Sequence, residues 1–404
     1  LWQLTEFFFI FTAYLIISKN IDPMELETLL ARLSDFNSLT DPYGASHFPI
    51  YQTGTFDLKK QSGDRIYDYS RTDNPTRNAL EDILTRAENG VACTCTNTGL
   101  SALALLFETV LRSGDSILVE ADLYGGTNRL LNMLAERYCM NVFRADFTDH
   151  GAIETMLNTY QIRLVLCESP TNPGLKVIDL ATLAGLCRKY GALFAVDNSL
   201  ATFASQQPLV LGADFSVFSA TKYISGHGAV IAGAIVAKQQ EFGEKLAYYA
   251  NAQGRTQSPF DAFLISLGLP TLPLRMKAQE QTALAIAEYL STRSDIKRIS
   301  FPFLPTHPQF ALARQQMNIC PGLLTIELET EARCEHFIKK ARFWGEKASF
   351  GNSDSRVEQP VKISHASYSD AELQALGLSK CTMRLSVGLE NQADLIADIE
   401  QALA

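Results

Sequence analysis

Six short runs of apolar and β-branched residues punctuate the chain between residues 116 and 237, with segments of helical periodicity between them. They are Ser116 to Glu120, Asn141 to Ala145, Arg163 to Glu168, Ala192 to Asp197, Asp214 to Ser219 and Ala232 to Ala237. Strands that alternate with helix-length segments allow few folds. Each crossover returns the chain to a parallel neighbour, and runs this apolar need cover on both faces. The expectation is an α/β domain with a mostly parallel, doubly wound sheet. The segment Leu180 to Tyr190, closed by Gly191, has the length and ending of one covering helix. Beyond about residue 260 the character changes to a long helix, Met276 to Ser291, a proline-rich stretch from Phe301 to Pro308, and separated apolar runs such as Leu323 to Leu328. This reads as a smaller α+β unit. The expected division is an N-terminal extension and arm over 1–70, a large α/β domain over 71–260 and a C-terminal α+β domain over 261–404.

Composition bounds the partners. Among 404 residues, 47% are hydrophobic and 20% charged, which suits a folded protein of two or so domains. Forty-four acidic against 35 basic residues give a net charge of −9, with no long basic run, so neither nucleic acid nor an anionic membrane is the expected partner. A small metabolite fits better. The eight cysteines are scattered without a C-x-x-C pair and read as reduced thiols of a cytoplasmic protein. Residues Phe7 to Ile17 form an apolar stretch too short to span a bilayer, and Glu6 precedes it. Met24 is the expected start, with an upstream extension before it; an arm packed on a partner subunit is the alternative.

In open parallel sheets ligands gather at the carboxyl ends of the strands, so the residues just after each run carry the functional argument. After Asp214 to Phe218 comes Ser219-Ala220-Thr221-Lys222-Tyr223-Ile224-Ser225-Gly226-His227-Gly228. A lysine among hydroxyls and glycines suits pyridoxal phosphate, whose Schiff base needs an amine of depressed pKa, phosphate donors nearby and a closely approaching backbone. A solvated loop lysine is the plainer reading of Lys222. Asp197 ends another run and suits a pyridinium nitrogen, or else caps a turn. Thr98-Gly99-Leu100-Ser101 opens an apolar helix whose free N–H groups suit a phosphate, or is an ordinary capped helix. Tyr124, in Asp122 to Thr127, is set to stack on a cofactor ring, and Asn172, in Glu168 to Pro173, is a rigidly held polar group near it; turn residues of no further role are the alternatives. The six histidines are dispersed, and no metal site is expected.

Together with Tyr67 to Arg77, Ser219 to His227 and Arg384-Leu385-Ser386-Val387-Gly388, these segments resemble the pyridoxal phosphate enzymes of Cys/Met metabolism from about Pro49 to Leu403. That family includes cystathionine γ-synthase, the cystathionine lyases, methionine γ-lyase and homoserine sulfhydrylases. The resemblance implies fold-type I, with the large domain binding the cofactor and Lys222 carrying it as an internal aldimine. It further implies backbone N–H groups of Gly99 and Leu100, with the hydroxyls of Ser219 and Thr221, on the phosphate. Tyr69 and Arg71 would reach that phosphate from a neighbouring subunit, in a homotetramer of active dimers. Tyr124 would stack on the ring and count with Lys222 among the catalytic residues, Asp197 would hold the ring nitrogen, and Asn172 would lie by the phenolic oxygen and the substrate. Arg384, helped by Ser349, would clamp the substrate's α-carboxylate.

The implied chemistry is proton removal from Cα by Lys222 and loss of the Cβ substituent as a thiolate, leaving pyruvate and ammonia. Members acting at Cγ of cystathionine resemble one another in a glutamate where this chain has Ala348, and methionine γ-lyases carry a cysteine where it has Gly126. The segment Gly228-Ala229-Val230 also lacks the Ser-Asp often found after the histidine. By elimination, the expected activity is cystathionine β-elimination on an amino-acid thioether in methionine biosynthesis, with γ-lyase, γ-synthase or sulfhydrylase activity as alternatives. A nicotinamide-dependent oxidoreductase would need G-x-G-x-x-G, which is absent. A non-catalytic binding protein would have no use for Lys222, Asp197 and Arg384 together.

Overall fold

The computed structural model describes residues 24–37, 39, 41–61 and 65–404. The N-terminal apolar stretch, and with it the expectations about the start of the chain, lie outside the described residues. Seven strands form the larger sheet: β1 (Ala92–Thr96), β2 (Ser116–Glu120), β3 (Asn141–Ala145), β4 (Ile162–Glu168), β5 (Leu193–Asp197), β6 (Phe215–Phe218) and β7 (Gly233–Ala237). Their order is β1-β7-β6-β5-β4-β2-β3. From β6 to β3 every neighbour is parallel, whereas β7 runs antiparallel to both β6 and β1. The sheet is therefore mostly parallel, as expected. β1 has no counterpart among the expected strands, because its sequence Ala-Cys-Thr-Cys-Thr carries little apolar signal.

Alternation along the strands explains the two-sided cover. Leu164 and Leu166 of β4 join Ile117 and Val119 of β2 in a core with the helices Gly99–Val110 and Gly125–Tyr138. Val165 and Cys167 face the other way, joining Phe194 and Val196 of β5 and the helices Pro75–Ala87 and Leu180–Tyr190. Each fully buried leucine on these faces contributes about 2 kcal/mol by removal from water. The strands consequently end in a fixed row, and the residues that follow them share one edge of the sheet.

Five strands form the second sheet: β8 (Ile296–Ser300), β9 (Leu323–Leu328), β10 (Gly345–Glu346), β11 (Arg356–Glu358) and β12 (Thr382–Ser386), in the order β10-β11-β12-β9-β8. All pairs but β10–β11 are antiparallel. Helices Glu331–Lys340 and Gln392–Leu403 cover it through Phe337, Leu395 and Ile399. Helix Leu272–Ser291 begins four residues before the expected Met276, because Pro273 is tolerated in a first helical turn where its missing N–H has no partner to lose. Its Leu272 and Met276 belong to the larger core and its Ala283, Ile286, Ala287 and Leu290 to the second, so this one helix carries both cores. Near the N-terminus, helix Leu26–Ala31 sends Leu29 and Leu30 into the larger core. No described helix is long and apolar enough to cross a membrane.

Candidate active site

A cavity of about 450 Å³ opens where the ends of β4, β5 and β6 meet the segment 348–350 and β11 and β12 of the second sheet. Gly99, Leu100, Tyr124, Asn172, Asp197, Ser219, Thr221, Lys222, Ser349 and Arg384 all line it. Tyr69 and Arg71 do not. They lie on the exposed surface, where the Arg71 guanidinium stands 5.4 Å from the Tyr69 ring and donates to the Asn251 backbone oxygen at 2.8 Å.

Lys222 sits in the turn after β6. Its Nζ donates to Ser349 Oγ at 2.7 Å and lies 4.9 Å from the Phe350 ring centre. Burial pulls its pKa down to about 8, assisted by the positive charge of Arg384 and opposed by Glu358. A neutral, nucleophilic fraction of the amine is thus present near neutral pH, far larger than an ordinary lysine offers. Ser349 itself has a φ of 84°, a strained value for a residue with a side chain, and its backbone oxygen accepts from Arg384 Nη2 at 2.8 Å.

Asp197 ends β5. Its Oδ1 accepts from the Ser199 N–H at 3.0 Å and from Ser199 Oγ at 2.5 Å, and that hydroxyl in turn accepts the Ser219 N–H at 2.6 Å. One serine therefore ties the acid to the lysine turn. Directly across the ladder from Asp197 is Glu168 of β4, whose Oε1 accepts the Tyr124 N–H at 2.8 Å and Oε2 the Asn172 N–H at 3.4 Å. Burial, together with the neighbouring Asp197 charge, pushes the Glu168 carboxyl well above the usual range, and burial raises that of Asp197 against the hydrogen bonds from Ser199.

Against the same turn, Gly99 is the first residue of helix Gly99–Val110, with Thr98 accepting the Ser101 N–H at 2.9 Å as its cap. A Cβ on Gly99 would stand 2.8 Å from the Ser219 Cβ and 3.0 Å from its Cα. Only glycine lets the helix N-terminus and the Ser219 hydroxyl share one spot, which makes an anion cradle of backbone and side-chain donors. Gly126 plays a different part: a Cβ there would meet the Tyr124 ring at 2.4 Å, so its absence lets the ring lie back against the helix.

Arg384 is in the middle of β12, paired in register with Glu358 of β11 and Thr325 of β9. Its Nη1 donates to Asn172 Oδ1 at 3.0 Å, and Nη2 lies 3.0 Å from Glu358 Oε2. Ser199, Phe350 and Glu358 are cavity residues that sequence reasoning did not single out. Ser199 follows Asp197 by two residues and has a sequence signal of that kind; Glu358 meets Arg384 only through strand register, which no local pattern reveals.

A cradle of N–H and hydroxyl donors, an amine with a pKa near 8, a carboxylate at the sheet edge and an aromatic ring define an enzyme site of the pyridoxal phosphate class, and the residues fit that group. Comparison with known proteins agrees. The family model for Cys/Met metabolism PLP-dependent enzymes matches residues 31–404. Chloroplastic cystathionine beta-lyase of Mimosa pudica is 35% identical over 370 residues, covering 92% of this chain and 80% of that protein. Cystathionine gamma-synthase of Escherichia coli K12 is 36% identical over 361 residues, covering 89% and 93%. The solved cystathionine gamma-synthase of Xanthomonas oryzae pv. oryzae in complex with cystathionine superposes with a TM-score of 0.91 at 37% identity, covering 95% of this chain and 98% of that one. The chain belongs to the Cys/Met metabolism PLP-dependent enzyme family. It has the fold-type I architecture, and pyridoxal phosphate is its cofactor.

Proposed function

We propose that this enzyme is a carbon–sulfur lyase that cleaves L-cystathionine at Cβ, giving homocysteine, pyruvate and ammonia. Bound pyridoxal phosphate supplies an electron sink conjugated to the substrate's Cα. The chain's residues supply the rest. Arg384, with Asn172 and Ser349 beside it, takes the α-carboxylate; Gly99, Leu100, Ser219 and Thr221 take the cofactor phosphate; Asp197 takes the ring nitrogen; Tyr124 covers the ring. The carboxylate grip fixes which Cα bond faces the lysine. Lys222 Nζ receives the Cα proton, the electrons expel the Cβ–S bond pair onto sulfur, and hydrolysis by water releases the nitrogen as ammonia. One base in one place suffices for that sequence.

The observation that carries the β reading is Ala348. It lines the cavity next to Ser349, and the lining acids, Glu168, Asp197 and Glu358, hold backbone N–H groups, Ser199 or the Arg384–Ser364 pair rather than standing free at that wall. Among the described residues no carboxylate is stationed there for the further proton transfers at Cβ that γ chemistry requires. The γ-synthase reading keeps support from the likeness to the E. coli and Xanthomonas enzymes. Tyr69 and Arg71, exposed and outside their own cavity, support the reading that they complete the phosphate site of a neighbouring copy in a homotetramer built of active dimers. All eight cysteines are free, in keeping with a cytoplasmic enzyme. Product analysis on L-cystathionine tests the proposal: pyruvate with homocysteine is expected, and 2-oxobutyrate with cysteine would overturn the β assignment.

A further inference from the structure

The carboxylate clamp is not a bare cation. Arg384 and Glu358 are 3% and 1% exposed, face each other across β11 and β12, and approach to 3.0 Å. Glu358 is anchored by a second cavity residue, its Oε1 accepting Ser364 Oγ–H at 2.7 Å. The contact with Arg384 is close but poorly aligned: Glu358 Oε2 and Arg384 Nε are both buried without a hydrogen-bond partner among the described residues. Charge proximity dominates this contact, and directed hydrogen bonding does not. Both groups line the cavity, where Lys222 and Arg384 are the only basic side chains among the described residues.

We propose that Glu358 is a specificity-determining counter-charge that keeps the clamp an electrically neutral pair, so that it accepts a carboxylate arriving with its own ammonium and rejects a bare carboxylate. A bare carboxylate would add an uncompensated charge to the Arg384–Glu358 pair in a buried site, where only the Lys222 nitrogen, engaged with the cofactor in the holoenzyme, is left to offset it. An amino acid brings the balancing charge with it. Glu358 thereby selects zwitterions from the many simple carboxylates of a cell before any chemistry begins. The inference rests on Arg384 being the carboxylate clamp.

The test compares L-alanine with propionate, which differ by the ammonium group alone. Holoenzyme is first reduced with borohydride, so that the lysine-bound cofactor cannot react with an amine, and each ligand is titrated calorimetrically. In the unaltered protein alanine is expected to bind at least about tenfold more tightly, a gap of about 1.4 kcal/mol. Glu358→Gln keeps the shape and removes the charge; propionate should then tighten by about tenfold, closing the gap. Glu358→Asp keeps the charge and should keep the gap. An unchanged gap in Glu358→Gln, or loss of affinity for both ligands, would overturn the inference by making Glu358 a structural support only. Equal affinities in the unaltered protein would overturn it without any variant. Arg384→Gln separates the premise: loss of alanine binding upholds the clamp whatever Glu358 does, and retained binding removes clamp and inference together.

Discussion

Replacing Lys222 by methionine should make the cofactor-free protein more stable at neutral pH. The lysine's pKa is about 8 in the folded chain against an ordinary 10.5, mainly because its ammonium loses water in the cavity. That difference is worth about 3 kcal/mol. Below pH 8 both folded and unfolded chains bind the proton, and the folded state bears the whole cost. Between 8 and 10.5 the unfolded chain binds more protons, so stability rises with pH across that window and the cost is gone above it. Methionine fills similar space without charge but gives up the hydrogen bond to Ser349, about 1 kcal/mol. The net gain at pH 7 is about 2 kcal/mol, and by pH 10.5 it turns into a loss of about 1 kcal/mol, the hydrogen bond alone. Urea unfolding of both cofactor-free proteins at the two pH values reads it, since groups remote from Lys222 cancel in the difference. A Lys222→Met protein less stable than the parent at pH 7, with an unchanged pH slope, would refute the claim that desolvation sets the lysine's pKa.

Three further substitutions probe other walls of the cavity. Gly99→Ala forces the helix N-terminus and Ser219 apart by a few tenths of an ångström; spectroscopic titration should show pyridoxal phosphate affinity falling about tenfold or more, with about 1 to 3 kcal/mol lost from overpacking. Gly126→Cys places its Cβ against the Tyr124 ring, so the ring must swing, and the near-ultraviolet circular dichroism of the bound cofactor should change while far-ultraviolet dichroism does not. Asp197→Asn removes one of two adjacent buried carboxyls, so cofactor-free stability should hold within about 1 kcal/mol while kcat falls on the order of 100-fold, the scale of losing one preorganised charge.

The larger sheet was legible because its central parallel strands, buried on both faces, leave near-continuous apolar runs; β2 occupies the very residues its run marked, as do the edge strand β3 and, in the antiparallel second sheet, β9. β1 was not, since its alternating Cys and Thr carry little apolar signal and owe their burial to the pairing with β7 and to the helices Pro75–Ala87 and Gln240–Gln253 packed against it. Lys222, Asp197 and Asn172 were found by one rule, that chemistry follows strand ends, and the cavity brings them together. What escaped was set by pairing between distant segments. Glu358 reaches Arg384 through strand register, Phe350 lies 5.4 Å from the Arg384 guanidinium and close to the lysine, and Ser199 links Asp197 to Ser219 by two hydrogen bonds. Such contacts have no periodicity and leave no mark on any single stretch of chain. Tyr69 and Arg71 illustrate the opposite limit: their sequence motif speaks of a phosphate, while within one chain they stand on open surface.

The most direct measurement is of the lysine itself. Holoenzyme reduced with borohydride, digested and sequenced by mass spectrometry should carry a single phosphopyridoxyl mass on the peptide containing Lys222. The same mass on any other lysine, or none on a protein saturated with cofactor, would contradict the assignment of this cavity as the catalytic centre.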